Sequence, residues 1–143
     1  EYIESTAIDF SVASVNNQEI DSINIRNAAF LAMHRAIEGL NVTPEFLLVD
    51  GNAFTPYLTQ DTRDVIEHKC IIAGDDKYQS IAAASILAKV YHDEYIDNLV
   101  EENPELSIYN WTRNMCYGTA EHINAIKEHG ITPYHRKSFG PCK

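Results

Sequence analysis

Two aspartates lie where an α/β protein most readily builds a functional site. Asp50 follows an apolar run at 45–49, and Asp75 follows a second run at 69–73, one residue after Gly74. Each run is short and dense in apolar residues, which predicts a strand buried on both faces. Ligands of open α/β sheets bind at the carboxyl ends of strands, so neighbouring strands would bring these carboxylates together. Aspartates beside glycines also stabilise turns, and the pattern alone leaves that alternative open.

The chemistry available to such a pair is that of a hard divalent cation. Carboxylate oxygens without a nearby Cys or His cluster favour Mg²⁺ or Mn²⁺ over zinc. The matching reaction is phosphoryl transfer, in which two ions about 3.5–4 Å apart hold the attacking and leaving oxygens. No H-x-x-x-H or H-E-x-x-H motif supports a zinc hydrolase. We expect the six histidines at the surface or at helix ends: His34, His68, His92, His122, His129 and His135.

The C-terminal part of the chain is its basic part. The net charge is −10, from 11 Lys and Arg against 21 Asp and Glu, which disfavours broad nucleic-acid binding. Residues 109–143, however, carry five basic and two acidic residues. Tyr117, in a predicted loop there, could stack on a sugar or base, or could simply pack. His135, Arg136 and Lys137 could contact phosphate, or could only solvate the tail.

Other acidic residues have plainer explanations. Asp93 and Glu94 form an adjacent pair, but they lie within a predicted helix, where Asp93 is spaced to pair with Lys89. Asp76 is expected to cap the helix that follows it. We therefore assign no catalytic role to these three acids.

The elements that position these residues are predicted from periodicity and capping signals. Alternation predicts a strand at 6–15, and Asn16 with Glu19 forms a capping pattern for a short helix. A second helix, capped by Asn24, ends at 39–41. The longest helix spans 79–102, and a short C-terminal helix runs from Thr119 to about 128. The apolar stripe predicted for the longest helix comprises Ile81, Ala84, Ser85, Ala88, Tyr91, Tyr95 and Leu99.

This order of strands and helices predicts an α/β fold in a single domain over residues 1–143. The longest strongly apolar run, 81–88, is far short of the ~20 residues of a membrane span. The N-terminus has no basic and apolar segments of a signal peptide. The three cysteines are spread widely and are expected to be reduced thiols. We expect a cytoplasmic protein with no membrane partner.

Three stretches, taken together and in order, resemble the bacterial ribonuclease HII family. They are L-L-V-D-G-N at 47–52, G-D at 74–75 with S-I-A-A-A-S-I-L-A-K-V at 80–90, and Y-G-T at 117–119 with T-P-Y-H-R-K-S-F at 132–139. Each motif is weak alone, but their register along one chain is specific. The resemblance runs from about Val12 almost to the end of the chain.

The resemblance implies an endonuclease that cuts the RNA strand of RNA/DNA hybrids, including single ribonucleotides embedded in duplex DNA. It implies a ribonuclease H-like mixed sheet flanked by helices, with a small helical C-terminal segment, and a monomeric full-length protein. The family site uses four carboxylates to hold Mg²⁺ or Mn²⁺. Two of these carboxylates match Asp50 and Asp75. Tyr117 matches the family tyrosine that stacks on the sugar at the RNA-to-DNA junction.

The sequence also departs from the family pattern. The first strand, with its Asp-Glu-x-Gly-Arg-Gly motif, is absent, so we expect an N-terminally truncated, partial domain with half of the acidic site. Such a chain should bind metal weakly and cleave little on its own. Further departures lie at Ala53, His92, Met115 and Cys116. The alternative function is a fragment or degenerate relative that binds nucleic acid or a partner without cleavage.

Overall fold

The computed structural model describes residues 1–143, which fall into two compact units. The first unit comprises Glu1–Val15 and Arg26–Ala88, and the second comprises Asn16–Ile25 and Lys89–Lys143. Three helices precede two consecutive strands, and only helices follow them, so the chain contains both helices and a small sheet, as the α/β prediction requires. None of the helices has the length and apolar character needed to cross a membrane.

The first unit contains the sheet. Its elements are α1 (Tyr2–Thr6), most of α3 (Ile25–Glu38), β1 (Phe46–Asp50), β2 (Glu67–Ile71) and the start of α4 (Gln79–Glu102). The two strands are parallel and pair in a register that sets Val49 against Cys70 and Asp50 against Ile71. The two strands are therefore neighbours, and their carboxyl ends lie at one edge of the sheet. The observed β2 begins and ends two residues before the predicted run at 69–73, so Asp75 lies in the turn beyond the strand rather than at its end.

The predicted strand at 6–15 is wrong. Residues 2–6 form α1, and the chain from Ala7 to Val15 has no strand partner. This segment is held instead by its side chains: the Asp9 carboxylate accepts from the N–H groups of Asn41 (2.6 Å) and Val42 (2.9 Å). Alternation predicts a pleated surface, but a strand forms only where another strand accepts its backbone hydrogen bonds.

The sheet is also less buried than predicted. Phe46 and Leu48 are 48% and 37% exposed, and in β1 only Val49 is buried. The prediction that this strand is covered on both faces is therefore wrong. Because exposed and buried residues alternate along β1, one face of the two-stranded sheet lacks a covering layer.

Helix α4 has the predicted bounds but buries a different face. Ile81 is buried, whereas the middle of the predicted stripe is exposed, namely Ala84, Ser85, Ala88, Tyr91 and Tyr95. The buried residues in its second half are Ile96 and Val100. The direction of burial is decided by what packs against a helix, and these two residues pack into the core of the second unit.

The second unit is built around an aromatic core. It contains α2 (Asn17–Ile23), the rest of α4, a 3₁₀ helix at Pro104–Tyr109, α5 (Trp111–Asn114), α6 (Ala120–His129) and a 3₁₀ turn at Gly140–Cys142. The buried cluster comprises Ile96, Val100, Leu106, Tyr109, Trp111, Ala125 and Ile126. The predicted helical C-terminal segment is thus present. The capping predictions are confirmed at both helices: Asn16 and Glu19 form the capping box of α2, and Thr119 caps α6.

Helix α2 holds the C-terminal tail in place. The Asn17 side chain donates to the carbonyls of Pro133 (2.8 Å) and His135 (3.0 Å). One turn later, the Asp21 carboxylate accepts from the N–H groups of Lys137 (2.8 Å) and Ser138 (2.9 Å). These hydrogen bonds, first among them those with Ser138, lower the pKa of Asp21.

Candidate functional site

Asp50 is the last residue of β1, and its carboxylate reaches the turn after β2. The Gly74 N–H donates to Asp50 Oδ1 at 2.8 Å, and Asp75 follows directly in the chain. Neither Asp75 nor the second oxygen of Asp50 has a hydrogen-bond partner, and both residues are exposed. The parallel pairing and this hydrogen bond therefore place the turn that carries Asp75 beside the end of β1.

The donor set fits a hard cation only in part. Carboxylate oxygens suit Mg²⁺ or Mn²⁺, and Mg²⁺ commonly keeps several waters while using one or two carboxylates. However, no group of three or more His, Cys, Asp and Glu side chains is placed to hold a metal ion. Two carboxylates supply a charge of at most −2, so Asp50 and Asp75 alone suit a weak site.

Gly74 leaves little room for a side chain beside Asp50. A Cβ at this position would lie 2.7 Å from Ile81 Cδ1, 3.1 Å from the Ile71 carbonyl oxygen and 3.3 Å from Asp50 Oδ1. The isoleucine methyl can move, but the backbone carbonyl cannot do so cheaply. The absence of a side chain at 74 therefore allows the turn to approach the end of β1.

We expect Gly74→Ala to lower the free energy of unfolding by about 1–3 kcal/mol, the usual cost of overpacking. Urea denaturation followed by circular dichroism would measure it. Gly140→Ala is the matched control, because a Cβ there meets no atom within 4 Å. Equal stability changes in the two variants would contradict this account of the turn.

The other acids have structural explanations. The Lys89 ammonium and the Asp93 carboxylate form the predicted ion pair on α4. The hydrogen bond from Lys89 is the main cause that lowers the pKa of Asp93. Asp76 lies in the turn at 75–77 without a hydrogen bond, and α4 begins only at Gln79, so the prediction that Asp76 caps this helix is wrong.

Tyr117, in the second unit, is presented to solvent from a tightly turned loop. Its side chain is 73% exposed, and the residue is held through its backbone, with its N–H donating to the Asn114 carbonyl at 2.8 Å. Met115 and Cys116 before it have left-handed backbone angles, with φ of 45° and 64°. This conformation costs about 1–2 kcal/mol for a residue with a side chain, and glycine adopts it freely. A glycine at position 116 would therefore adopt this backbone conformation without that cost.

Cys116 itself is not a nucleophile. Its side chain packs against the core of the second unit, and burial raises the pKa of the thiol to about 12. The thiol therefore stays protonated at neutral pH. All three cysteines are free, as predicted.

Arg136 lies next to the loop of Tyr117. Its guanidinium is over the ring of Phe139, 5.0 Å from the ring centroid, and the same ring lies about 3.5 Å from where a Cβ of Gly118 would be. Tyr117, Gly118, Arg136 and Phe139 thus form a contiguous aromatic and cationic surface. The ring beneath the guanidinium helps to set its orientation. After the hydrogen bonds from Ser138, the charge of Arg136 also contributes to the lowered pKa of Asp21.

His135 is placed differently from Arg136. It is 5% exposed, and its two ring nitrogens contact Thr132 and His122, so neither nitrogen is free to bind phosphate. His122 is also buried, at 6% exposure, although it lies in the first turn of α6, so the prediction that all histidines lie at the surface or at helix ends is wrong for His135. Desolvation, and then the neighbouring His122, lower the pKa of His135 to about 4. This geometry disagrees with the predicted contact between His135 and phosphate. The His135 ring has a structural role instead.

His122 was missed as a residue of interest, although the sequence carried a signal for it. It stands three and four positions before Ala125 and Ile126, on the buried face of α6. A histidine within an apolar stripe is expected to face the core, where its ring needs partners. What those partners are depends on residues far along the chain.

The fold and the acidic strand ends define the class of protein. A small parallel sheet with several helices makes a mixed α/β domain consistent with the ribonuclease H-like fold. Within that class, the sequence model of the family described as Ribonuclease HII matches residues 1–142. The chain belongs to the ribonuclease HII family.

Curated relatives carry the same family name. The chain is 54% identical over 137 residues to a protein named Ribonuclease HII from Christiangramia forsetii, and 55% identical over 137 residues to one from Parabacteroides distasonis. A third, from Porphyromonas gingivalis, is 48% identical over 137 residues. Each alignment covers 96% of this chain, but the chain spans only 64–65% of the length of these relatives.

Proposed function

We propose that this chain belongs to an endonuclease that hydrolyses the RNA strand of RNA/DNA hybrids, including single ribonucleotides embedded in duplex DNA. One observation carries the proposal. Asp50 ends a strand parallel to β2, and its carboxylate accepts a hydrogen bond from the N–H of Gly74, the residue before Asp75. Two acids at one sheet edge are the arrangement that phosphodiester hydrolysis assisted by a divalent cation requires. The family membership supports the same reaction.

In this proposal, each of the candidate residues in the two units has its own task. Asp50 and Asp75 would hold Mg²⁺ or Mn²⁺, which when bound would neutralise phosphate charge and make water more acidic. The Gly74 N–H orients the Asp50 carboxylate and leaves its second oxygen available. Tyr117 would stack on the nucleic acid, and Arg136 would contact its backbone.

The chain by itself is proposed to cleave little. Its two carboxylates are not joined by a third ligand, and its net charge of −10 opposes approach to a polyanion. The same observation favours the second candidate function, binding of nucleic acid without hydrolysis. The two functions differ in whether the complete gene product supplies further acids to this edge of the sheet.

Cleavage of duplex DNA containing one ribonucleotide separates the two candidates. The 143-residue chain and the complete gene product would each be incubated with the labelled duplex and Mg²⁺ or Mn²⁺, and an all-deoxy duplex would serve as control. We expect cuts at the ribonucleotide only from the complete gene product. Absence of metal-dependent cleavage there would favour the binding function.

Replacement of Tyr117 by alanine is expected to weaken recognition of the ribonucleotide. Stacking of a base or sugar on an aromatic ring contributes about 1–3 kcal/mol, which corresponds to a loss in kcat/KM of about 5- to 150-fold. Tyr117→Phe keeps the ring and should stay within about twofold of the original value. The measurement is steady-state cleavage of the single-ribonucleotide duplex by the complete gene product.

The matched control for this variant is Tyr134→Ala, since Tyr134 is another exposed tyrosine of the basic end, at 41% exposure. It should leave kcat/KM near its original value. A Tyr117→Ala enzyme with unchanged kcat/KM would remove this tyrosine from the proposed substrate contact.

A further inference from the structure

Two buried histidines connect the core of the second unit to the loop of Tyr117. The first is His122, whose Nδ1 lies 3.0 Å from the Tyr117 carbonyl oxygen. A carbonyl only accepts, so Nδ1 carries the proton and donates it. The Nε2 atom of the same ring is then an acceptor, and the Trp111 indole N–H donates to it at 3.0 Å.

The second histidine is His135, and its partners also fix which of its ring nitrogens carries the proton. The Thr132 N–H donates to His135 Nδ1 at 3.0 Å, so this nitrogen must be the acceptor. His135 Nε2 therefore carries the proton, and it lies 3.2 Å from His122 Nε2. The partners fix both tautomers, and no buried side-chain polar atom is left without a hydrogen bond.

The His122 bond ties the Tyr117 loop to the core of the second unit. The other hydrogen bonds of Tyr117 are local: its N–H donates to the Asn114 carbonyl and its carbonyl accepts from the Thr119 N–H, both at 2.8 Å. The Tyr117 side chain is 73% exposed, and the two residues before it are in the costly left-handed conformation. By contrast, the Trp111 ring that supports His122 stacks on Tyr109 with centroids 5.4 Å apart, inside the core. The His122–Tyr117 hydrogen bond thus joins a strained, exposed loop to a rigid part of the unit.

We propose that His122 is a positioning residue: through its Nδ1–H it holds the Tyr117 backbone so that the exposed ring is preorganised for the ribonucleotide-bearing strand. The inference rests on the proposed function, because it gives Tyr117 a substrate to meet. Fixing an aromatic contact before binding reduces the entropy lost on binding. His135 and Trp111 act indirectly, because their hydrogen bonds fix the tautomer and the orientation of the His122 ring.

Two substitutions separate the two nitrogens of His122. In His122→Gln the amide reaches the place of Nε2 and can accept from Trp111, but it cannot donate to the Tyr117 carbonyl. In His122→Asn the amide occupies the place of Nδ1 and keeps the bond to Tyr117, while the Trp111 and His135 donors lose their acceptor. A purely structural role predicts the greater harm from asparagine in every assay, since buried donors without a partner are costly.

The positioning role predicts the opposite order for recognition. In the complete gene product, His122→Gln should lower kcat/KM for the single-ribonucleotide duplex by about fivefold or more. Its melting temperature should fall less than that of His122→Asn. His122→Asn should be less stable yet keep kcat/KM near its original value below its melting temperature. Amide hydrogen exchange at 117–119 should be faster in His122→Gln alone.

The decisive comparison uses a double variant. In Tyr117→Ala, adding His122→Gln should cause no further loss of kcat/KM, because a residue that acts through Tyr117 has nothing left to position. Additive losses, or an unchanged kcat/KM in a folded His122→Gln, would overturn the inference while leaving the proposed function intact. If Tyr117→Ala alone has no effect, the role proposed for Tyr117 fails first, and the inference fails with it.

Discussion

An Asp50→Asn enzyme is expected to cleave the single-ribonucleotide duplex at least about 100-fold more slowly than the original protein, and to remain folded. Preorganised electrostatic groups at a reaction centre commonly contribute about 10²–10³ in kcat. Asparagine keeps an oxygen that can accept from the Gly74 N–H, so the 2.8 Å hydrogen bond to the turn is preserved. What is lost is the negative charge that would hold a divalent cation.

The measurement is metal-dependent cleavage by the complete gene product, titrated with Mg²⁺ and with Mn²⁺. Loss of one carboxylate should raise the metal concentration needed for half-maximal rate, and Asp75→Asn should behave alike. Asp76→Asn is the matched control, because it removes the same charge from the next residue, which has no hydrogen bond. Undiminished cleavage by Asp50→Asn would exclude this carboxylate from the mechanism.

Acidification from pH 6.5 to pH 4 is expected to destabilise the second unit through His135. The pKa of this ring is about 4 in the folded protein, against 6.5 for an ordinary histidine. In this window the unfolded chain binds a proton that the folded chain excludes, so stability falls as the pH falls. The stabilisation is complete above pH 6.5, and its loss amounts to about 3 kcal/mol at most.

The cause of this loss lies in the partners of the ring. The Thr132 N–H points at Nδ1, so a proton placed there would face another proton. The rings of Tyr109, Trp111 and His122 surround the imidazole and offer it no carboxylate. Asp9 and Asp21 have lowered pKa values, and as carboxylates they lose their contribution only at still lower pH, so their effect falls outside the window.

Urea denaturation of the 143-residue chain at a series of pH values would measure the slope. His135→Gln should be less stable at pH 7 because the Thr132 N–H loses its acceptor, and it should lack the histidine-dependent slope between pH 6.5 and 4. His129→Gln is the control, since this histidine is exposed at the end of α6, and its variant should keep the slope. A slope that persists unchanged in His135→Gln would assign the acid sensitivity to another group.

Several predictions about the site needed only short stretches of sequence. Asp50 and Asp75 were predicted because each follows a compact apolar run and lies beside a glycine, which is a local property of the sequence. The same holds for the capping box of α2, the Thr119 cap and the bounds of α4. Caps and helix lengths are settled by residues within a turn or two of one another.

Other features depended on partners that no local pattern reveals. Residues 6–15 have the alternation of a strand but no neighbouring strand to complete it. Tyr91 and Tyr95 fall on an apolar stripe that stays exposed, while α4 buries Ile96 and Val100 instead. The sequence states which side chains prefer burial, but only packing decides which of them obtain it.

The sequence by itself predicted Asp50 and Asp75 as candidate acids, and it determined the basic C-terminal part with Tyr117 and the resemblance to one family. Only the tertiary structure decided that Gly74 bonds to Asp50 and that His122 and His135 form a buried pair behind the Tyr117 loop. The reason is physical: charge, capping and strand length act between near neighbours in the chain. Burial and hydrogen-bond partnership, which set the tautomers of this pair and the low pKa of His135, arise only when residues such as Trp111 and Thr132 are folded together.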